Sequence, residues 1–265
     1  FFVLSGFFIS YTFDKNDWSL RNFFLTRIIR IYIPFIGAIF LSLGVLYFCV
    51  NFNPSLYSLD SNIEFVSQIQ GGWKTLSIIS FFKSLLFMRH ENYYLGSNFP
   101  YWSLFHEGIF YVLAPFVVKH TKKFFLVMLT LFVIGFFYKV NGGFYDFFFL
   151  YGVFFATGML TYDIFNEGIK FSVSPIFISI LCFVLFLAII GFGIAGYKEI
   201  SFISSGLLTV CAIYSFLTFN VTSKLVSNFQ KIGVFSYTLY LYHFPLLILF
   251  FVVLNNFLRV QLFDF

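Results

Sequence analysis

The sequence predicts an all-α protein, a polytopic bundle of transmembrane helices, and three observations carry that prediction. Of the 265 residues, 60% are hydrophobic and 10% are charged, against roughly 25% charged residues in a soluble domain. A water-soluble globule of this make-up would lack the polar surface to cover itself. The apolar residues come in blocks of 15 to 22, the length a helix needs to cross about 30 Å of hydrocarbon. The Lys and Arg residues gather in short stretches between those blocks, and the net charge of +5 follows from such basic inner loops. Nucleic-acid binding is not indicated.

The elements follow in chain order. The first block, 1–13, begins FFVLSGFFIS with no initiator Met, basic n-region or cleavage motif. It is too short to span and reads as a truncated helix from within a longer protein. Complete spans are expected at 31–50, 101–118, 124–138, 144–162, 175–195, 200–219 and 233–254, seven in all. The stretch 75–88 is apolar but short, and it carries Lys83 at its centre. If it spanned, Lys119, Lys122 and Lys123 would fall opposite Arg21, Arg27 and Arg30, against the positive-inside rule. It is therefore expected to lie along the outer interface or to re-enter. The cytoplasmic loops are then 14–30, 119–123, 163–174 and 220–232, which hold ten of the 16 Lys and Arg residues. The outer segment 51–100 either shapes a substrate entrance or is a poorly ordered loop. No repeat or soluble module interrupts 1–265, so the bundle reads as a single domain.

The 47 Phe and 17 Tyr suit hydrocarbon and its interface and carry no functional weight. Cys49, Cys182 and Cys211 lie in or at the ends of apolar blocks without a CxxC or a nearby His, and read as small buried hydrophobes. Neither a metal site nor a bound cofactor is expected.

A charge near the bilayer centre costs about 2.5–3.5 kcal/mol on insertion scales, so ionisable residues inside a span are candidates for function. Ser103, Glu107 and Tyr111 recur at i, i+4 and i+8 on one helix and form a polar stripe that should face the bundle interior. Glu107 there could orient a histidine, act as a base or hold a sugar hydroxyl; an interhelical hydrogen bond or ion pair is the structural alternative. In the last span Ser236, Tyr240 and His243 share a face just before Pro245. His243 is either functional or a core histidine. Arg27 and Arg30, at i and i+3 where the chain enters the span near Ile31, can clamp a phosphate or pyrophosphate. Topological anchorage to anionic lipid is the more common explanation for any single such pair.

Four segments, in order, resemble the motifs of the acyltransferase family 3 membrane proteins. They are FFVLSGFFI at Phe1 to Ile9; Arg27-Ile28-Ile29-Arg30-Ile31-Tyr32-Ile33-Pro34; Trp102-Ser103-Leu104 through Glu107 to Phe110, Tyr111 and Pro115; and Ser236 to Pro245, reading SYTLYLYHFP. The resemblance covers nearly the whole chain. It implies transfer of an acyl group, most simply acetyl, from a cytoplasmic acyl-CoA to a hydroxyl of a cell-surface or lipid-linked glycan, at a bacterial inner membrane. It implies that Arg27 and Arg30 contact the donor. It further implies that Glu107 takes part in catalysis, with Ser5, Trp102, Ser103 and Tyr111 lining the reaction chamber and Tyr240 and His243 supporting it. In the family a helix before FFVLSG carries an Arg and the expected catalytic His, and a further helix closes the chain. Both are expected to be missing here, and His106 falls where the family varies. The alternatives of other classes are a flippase or exporter of polysaccharide or lipid-linked sugar, with about twelve spans and no donor site, and a lipid-linked sugar polymerase. The latter would want a basic outer loop, and 51–100 holds only Lys74, Lys83 and Arg89.

Overall fold

Helices occupy every expected span, but two of them begin far ahead of their apolar blocks. The computed structural model describes residues 1–16, 19–52, 64–88, 94–140, 147–168, 173–219 and 224–257. Its helices are α1 (Phe2–Asn16), α2 (Leu20–Phe52), α3 (Glu64–Lys74), α4 (Ile78–Leu85), α5 (Tyr101–Val117), α6 (Thr121–Val140), α7 (Phe148–Asn166), α8 (Pro175–Ile194), α9 (Lys198–Thr218) and α10 (Lys224–Phe257). No strand occurs among the described residues. Expectations that fall on 17–18, 53–63, 89–93, 141–146, 169–172, 220–223 and 258–265, including those for Arg89, Lys170 and the start of the span 144–162, lie outside them.

Among the described residues, six stretches are long and apolar enough to cross a membrane: Leu20–Phe52, Tyr101–Tyr138, Phe148–Asn166, Pro175–Ile194, Lys198–Thr218 and Ser236–Leu254. The second of these, 38 residues long, is not straight. Its halves meet in a single 3-10 turn, Val118–His120. Phe110 before the turn stacks on Phe155 at 5.0 Å, and Phe124 after it meets the same ring edge-on at 6.5 Å. In one straight helix Phe110 and Phe124 would stand about 21 Å apart. The stretch therefore bends at that turn into α5 and α6, whose limits fall close to the hydropathy blocks 101–118 and 124–138.

The expected loops 14–30 and 220–232 are largely helix. α2 is 33 residues and α10 is 34, about 50 Å each at 1.5 Å per residue, well beyond the hydrocarbon thickness. Arg21, Arg27 and Arg30 therefore sit on the first turns of α2 rather than on a loop before it. Both helices run through a proline, Pro34 and Pro245, which a transmembrane helix tolerates where a neighbour satisfies the freed carbonyl.

The residues group into two compact units, Phe1–Leu20 with Ile109–Val226, and Arg21–Gly108 with Ser227–Phe265. In the first unit α1 packs on α7 so closely that backbones touch. A Cβ on Gly6 would overlap the Phe155 carbonyl oxygen, and one on Gly158 would overlap that of Val3. Small residues permit such approaches where helix association depends on van der Waals packing rather than on expulsion of water. Phe7, Tyr162 and Ile213 bury around that crossing. α8 and α9 form a hairpin whose turn ends in a Schellman arrangement. Gly196 takes φ 82°, and the Tyr197 N–H donates to Phe192 O at 2.9 Å.

In the second unit the described parts of the outer segment 51–100 are ordered. Ile69 of α3 enters a cluster with Val45, Leu46 and Cys49 of α2 and Ile248 and Val252 of α10. α4 spans only 8 residues, about 12 Å, so it does not cross a bilayer. Its N-terminus is closed by a capping box between Ser77 and Ser80. Ser80 and Ser84 face inward, while Ile78, Ile79, Phe82 and Leu86 are exposed. An apolar outer face on a helix this short suits the membrane interface, the placement expected for 75–88. The Tyr32 hydroxyl of α2 donates to Leu85 O at 2.8 Å and ties α4 down.

Candidate active site

The polar stripe of α5 is buried along its whole length: Ser103 is 3% exposed, Glu107 4% and Tyr111 8%. In the second unit Ser103 Oγ and Tyr240 OH lie 2.8 Å apart, and both hydroxyls donate to Pro100 O, at 3.2 and 3.1 Å. Pro100 precedes the first turn of α5, so its carbonyl is one of the groups through which α10 is clamped to the N-terminus of α5. Glu107 lies one turn beyond Ser103 and within electrostatic range of the Tyr240 phenol. A buried carboxylate, a buried serine and a half-buried phenol thus share one small region, an arrangement able to hold a hydroxyl and to receive or redirect its proton. Trp102 is partly buried beside His106, their rings 5.8 Å apart, and His106 Nδ1 is bonded to the Trp102 carbonyl at 2.8 Å.

His243 stands apart from this region. It is exposed, and its Nδ1 bonds to Tyr240 O of its own helix at 2.6 Å. Ser236, on the same face by sequence, is also exposed. The two arginines of the second motif part as well. Arg27 is buried, with its guanidinium carbon 5.6 Å from the Phe23 ring centroid, whereas Arg30 is exposed. A spacing of i, i+3 turns side chains about 60° apart, and here the edge of the buried face of α2 falls between them. In the first unit Ser5 Oγ donates to Tyr111 OH at 3.3 Å, so the FFVLSG segment meets the far end of the α5 stripe.

Sequence reasoning missed Asn98. Its side chain is fully buried, and its Nδ2 donates to Ser42 Oγ at 3.1 Å and to Leu241 O at 2.9 Å. The physical reason lies in Pro245, four residues on from Leu241, which has no N–H to give that carbonyl. Asn98 supplies the missing donor from outside the helix. An Asn two residues ahead of a proline reads as turn chemistry in sequence, and only the orphan carbonyl in α10 hints at a distant partner.

Apolar helices of spanning length, with a carboxylate, hydroxyls and a guanidinium among the buried groups, define a polytopic membrane protein. A family model for an acyltransferase domain, that of acyltransferase family 3, matches residues 1–263, and the chain belongs to that family. Neither a curated protein nor a solved structure matches it.

Proposed function

We propose that this membrane acyltransferase carries an acyl group, acetyl in the simplest case, from a cytoplasmic acyl-CoA to a hydroxyl of a cell-surface or lipid-linked glycan. In the reaction the sugar oxygen attacks the thioester carbonyl, the new C–O bond forms, the C–S bond breaks, and the hydroxyl proton leaves with the CoA thiol. The observation that carries the reading is the part-buried Ser103–Tyr240 pair with buried Glu107 one turn from Ser103. Glu107 accepts a hydrogen bond from the attacking hydroxyl or from the group that deprotonates it, and the two hydroxyls orient that oxygen. Arg27, with Arg30 nearer solvent, neutralises the donor's phosphates. The setting is a bacterial inner membrane.

The test uses membranes from cells expressing the protein, with acetyl-CoA labelled in its acetyl group. Glu107→Gln should lower acyl transfer at least 100-fold, the scale of a lost acid–base group, and Arg27→Ala should chiefly raise the KM for the donor. Retention of full transfer by Glu107→Gln would sink the catalytic assignment. Sugar translocation without any donor requirement would replace the enzyme with a flippase.

A further inference from the structure

Residues 95–100, the turn that leads into α5, are held by α2, α3 and α10 of the second unit. Gly96 and Ser97 take φ 67° and 61°, left-handed values that a glycine adopts freely and a serine does not. Ser97 is kept there by its neighbours. Its Oγ donates to Ile69 O of α3 at 3.2 Å, its backbone N–H donates to Tyr94 O at 2.9 Å, and it leaves no room for a Cβ on Gly72. On the α2 side, a Cβ on Gly96 would stand 2.5 Å from Ser42 Cβ. Leu95, Gly96, Ser97 and Asn98 are all buried. Ser42 and Leu241, which the turn touches, lie inside stretches of spanning length, and irregular backbone persists at that depth only where protein surrounds it. Unfavourable backbone conformations that the surroundings enforce gather where a functional group has to be aimed.

The side chain that follows the two left-handed residues is Asn98. Its Nδ2 donates to Ser42 Oγ of α2 and to Leu241 O of α10. Two residues on, Pro100 O accepts from the Tyr240 hydroxyl. Tyr240 and Leu241 are consecutive, so two bonds tie one place on α10 to three residues of the turn, 98–100. They act on different parts of it. The Pro100 bond reaches the tip of the phenol, and the Asn98 bond holds the backbone from which the phenol projects. That backbone needs a hold from outside, because Pro245 has no N–H for Leu241 O and a helix is prone to bend at such a gap. Tyr240 stands just before the gap. A change of bend there moves the phenol relative to Ser103 and Glu107, and a displacement of about 1 Å can slow a reaction about 100-fold.

We propose that Asn98 is a positioning residue for acyl transfer: by holding Leu241 O across the Pro245 gap, it keeps the Tyr240 hydroxyl against Ser103 Oγ, one turn from Glu107. It acts through Tyr240 and not on the substrate. The inference rests on the reading of Ser103, Tyr240 and Glu107 above. A purely structural Asn98 would only satisfy a stranded carbonyl, and Pro245→Ala separates the two roles because residue 245 then offers its own N–H to Leu241 O. Acyl transfer from labelled acetyl-CoA and thermal unfolding are measured for the parent, Asn98→Ala, Pro245→Ala and the double variant. Asn98→Ala should lower kcat roughly tenfold or more, leave the KM for the donor unchanged and lower the melting temperature. Pro245→Ala alone should stay near the parent in kcat, since a carbonyl has two lone pairs and Asn98 keeps its bond. In the double variant the melting temperature should rise above that of Asn98→Ala while kcat stays low. Parental kcat in Asn98→Ala, or recovery of kcat together with the melting temperature in the double variant, overturns the inference and leaves the Glu107 reading standing. Should Asn98→Ala fail to fold, the double variant decides by the same comparison with Pro245→Ala. If the parent transfers no acyl group, the reading of the site falls and takes this inference with it.

Discussion

Gly6 lies in the FFVLSG motif, and its reason for being glycine is a contact that a single methyl group would break. A Cβ there would overlap the Phe155 carbonyl oxygen and stand 2.9 Å from the carbonyl carbon and 3.2 Å from the Met159 nitrogen. The obstructing atoms are backbone within α7, so no rotamer change relieves them. Restoring the roughly 3.5–4.0 Å optimum between carbon atoms requires α1 and α7 to part by on the order of 1 Å. That parting loosens Val3, Phe7 and Tyr162, all buried at the crossing. Forced overpacking costs about 1–3 kcal/mol, and about 2 kcal/mol corresponds to roughly 4–8 °C in Tm for a chain of this order of size. Gly6→Ala should therefore lower the melting temperature in detergent by that amount. Gly158→Ala, blocked by Val3 O and by Phe7 N at 2.8 Å, should do the same. The double variant should cost less than the sum, because one separation relieves both overlaps. Gly44, with nothing within 4 Å of its Cβ position, is the control and should tolerate Ala. If Gly6→Ala melts with the parent, or no lower than Gly44→Ala, the close-approach argument is wrong.

Two further outcomes follow from packing in the second unit. Asn98→Leu leaves Leu241 O without its donor beside Pro245 and should cost about 1–3 kcal/mol in thermal unfolding, the penalty of an unsatisfied buried carbonyl; an unchanged Tm would mean that the carbonyl finds another partner. Because α4 is too short to cross, single cysteines at Lys74 and Leu86, in a background lacking Cys49, Cys182 and Cys211, should react with a membrane-impermeant maleimide from the same side; opposite sidedness would make 75–88 a span.

The limits of the helices were the least legible feature. Leu20 to Arg30 and Lys224 to Ile232 carry enough polar and charged residues to look like loops, yet they are the opening turns of α2 and α10. Hydropathy measures preference for hydrocarbon, and a helix that projects beyond the bilayer has no reason to stay apolar. The α5 stripe was legible because 3.6-residue periodicity places Ser103, Glu107 and Tyr111 on one face, and burying that face is the only economical choice in lipid. Arg27 and Arg30 look equivalent in sequence, but their burial depends on where the edge of the packed face of α2 falls, which no spacing on α2 reveals. Asn98, Asp14 and Asp163 sit near helix ends, where no periodic pattern marks them. Their partners lie 42 to 148 residues away.

By itself the sequence determined that this protein lives in a membrane, that it is helical, and which motifs join it to an acyltransferase family, because composition, block length and spacing are local quantities. Only the tertiary structure decided that Ser103 meets Tyr240, that Asn98 repairs the gap left by Pro245, and that Gly6 must lack a side chain. Each of these depends on the distance between helices far apart in sequence, and such distances are set by packing that no local pattern encodes.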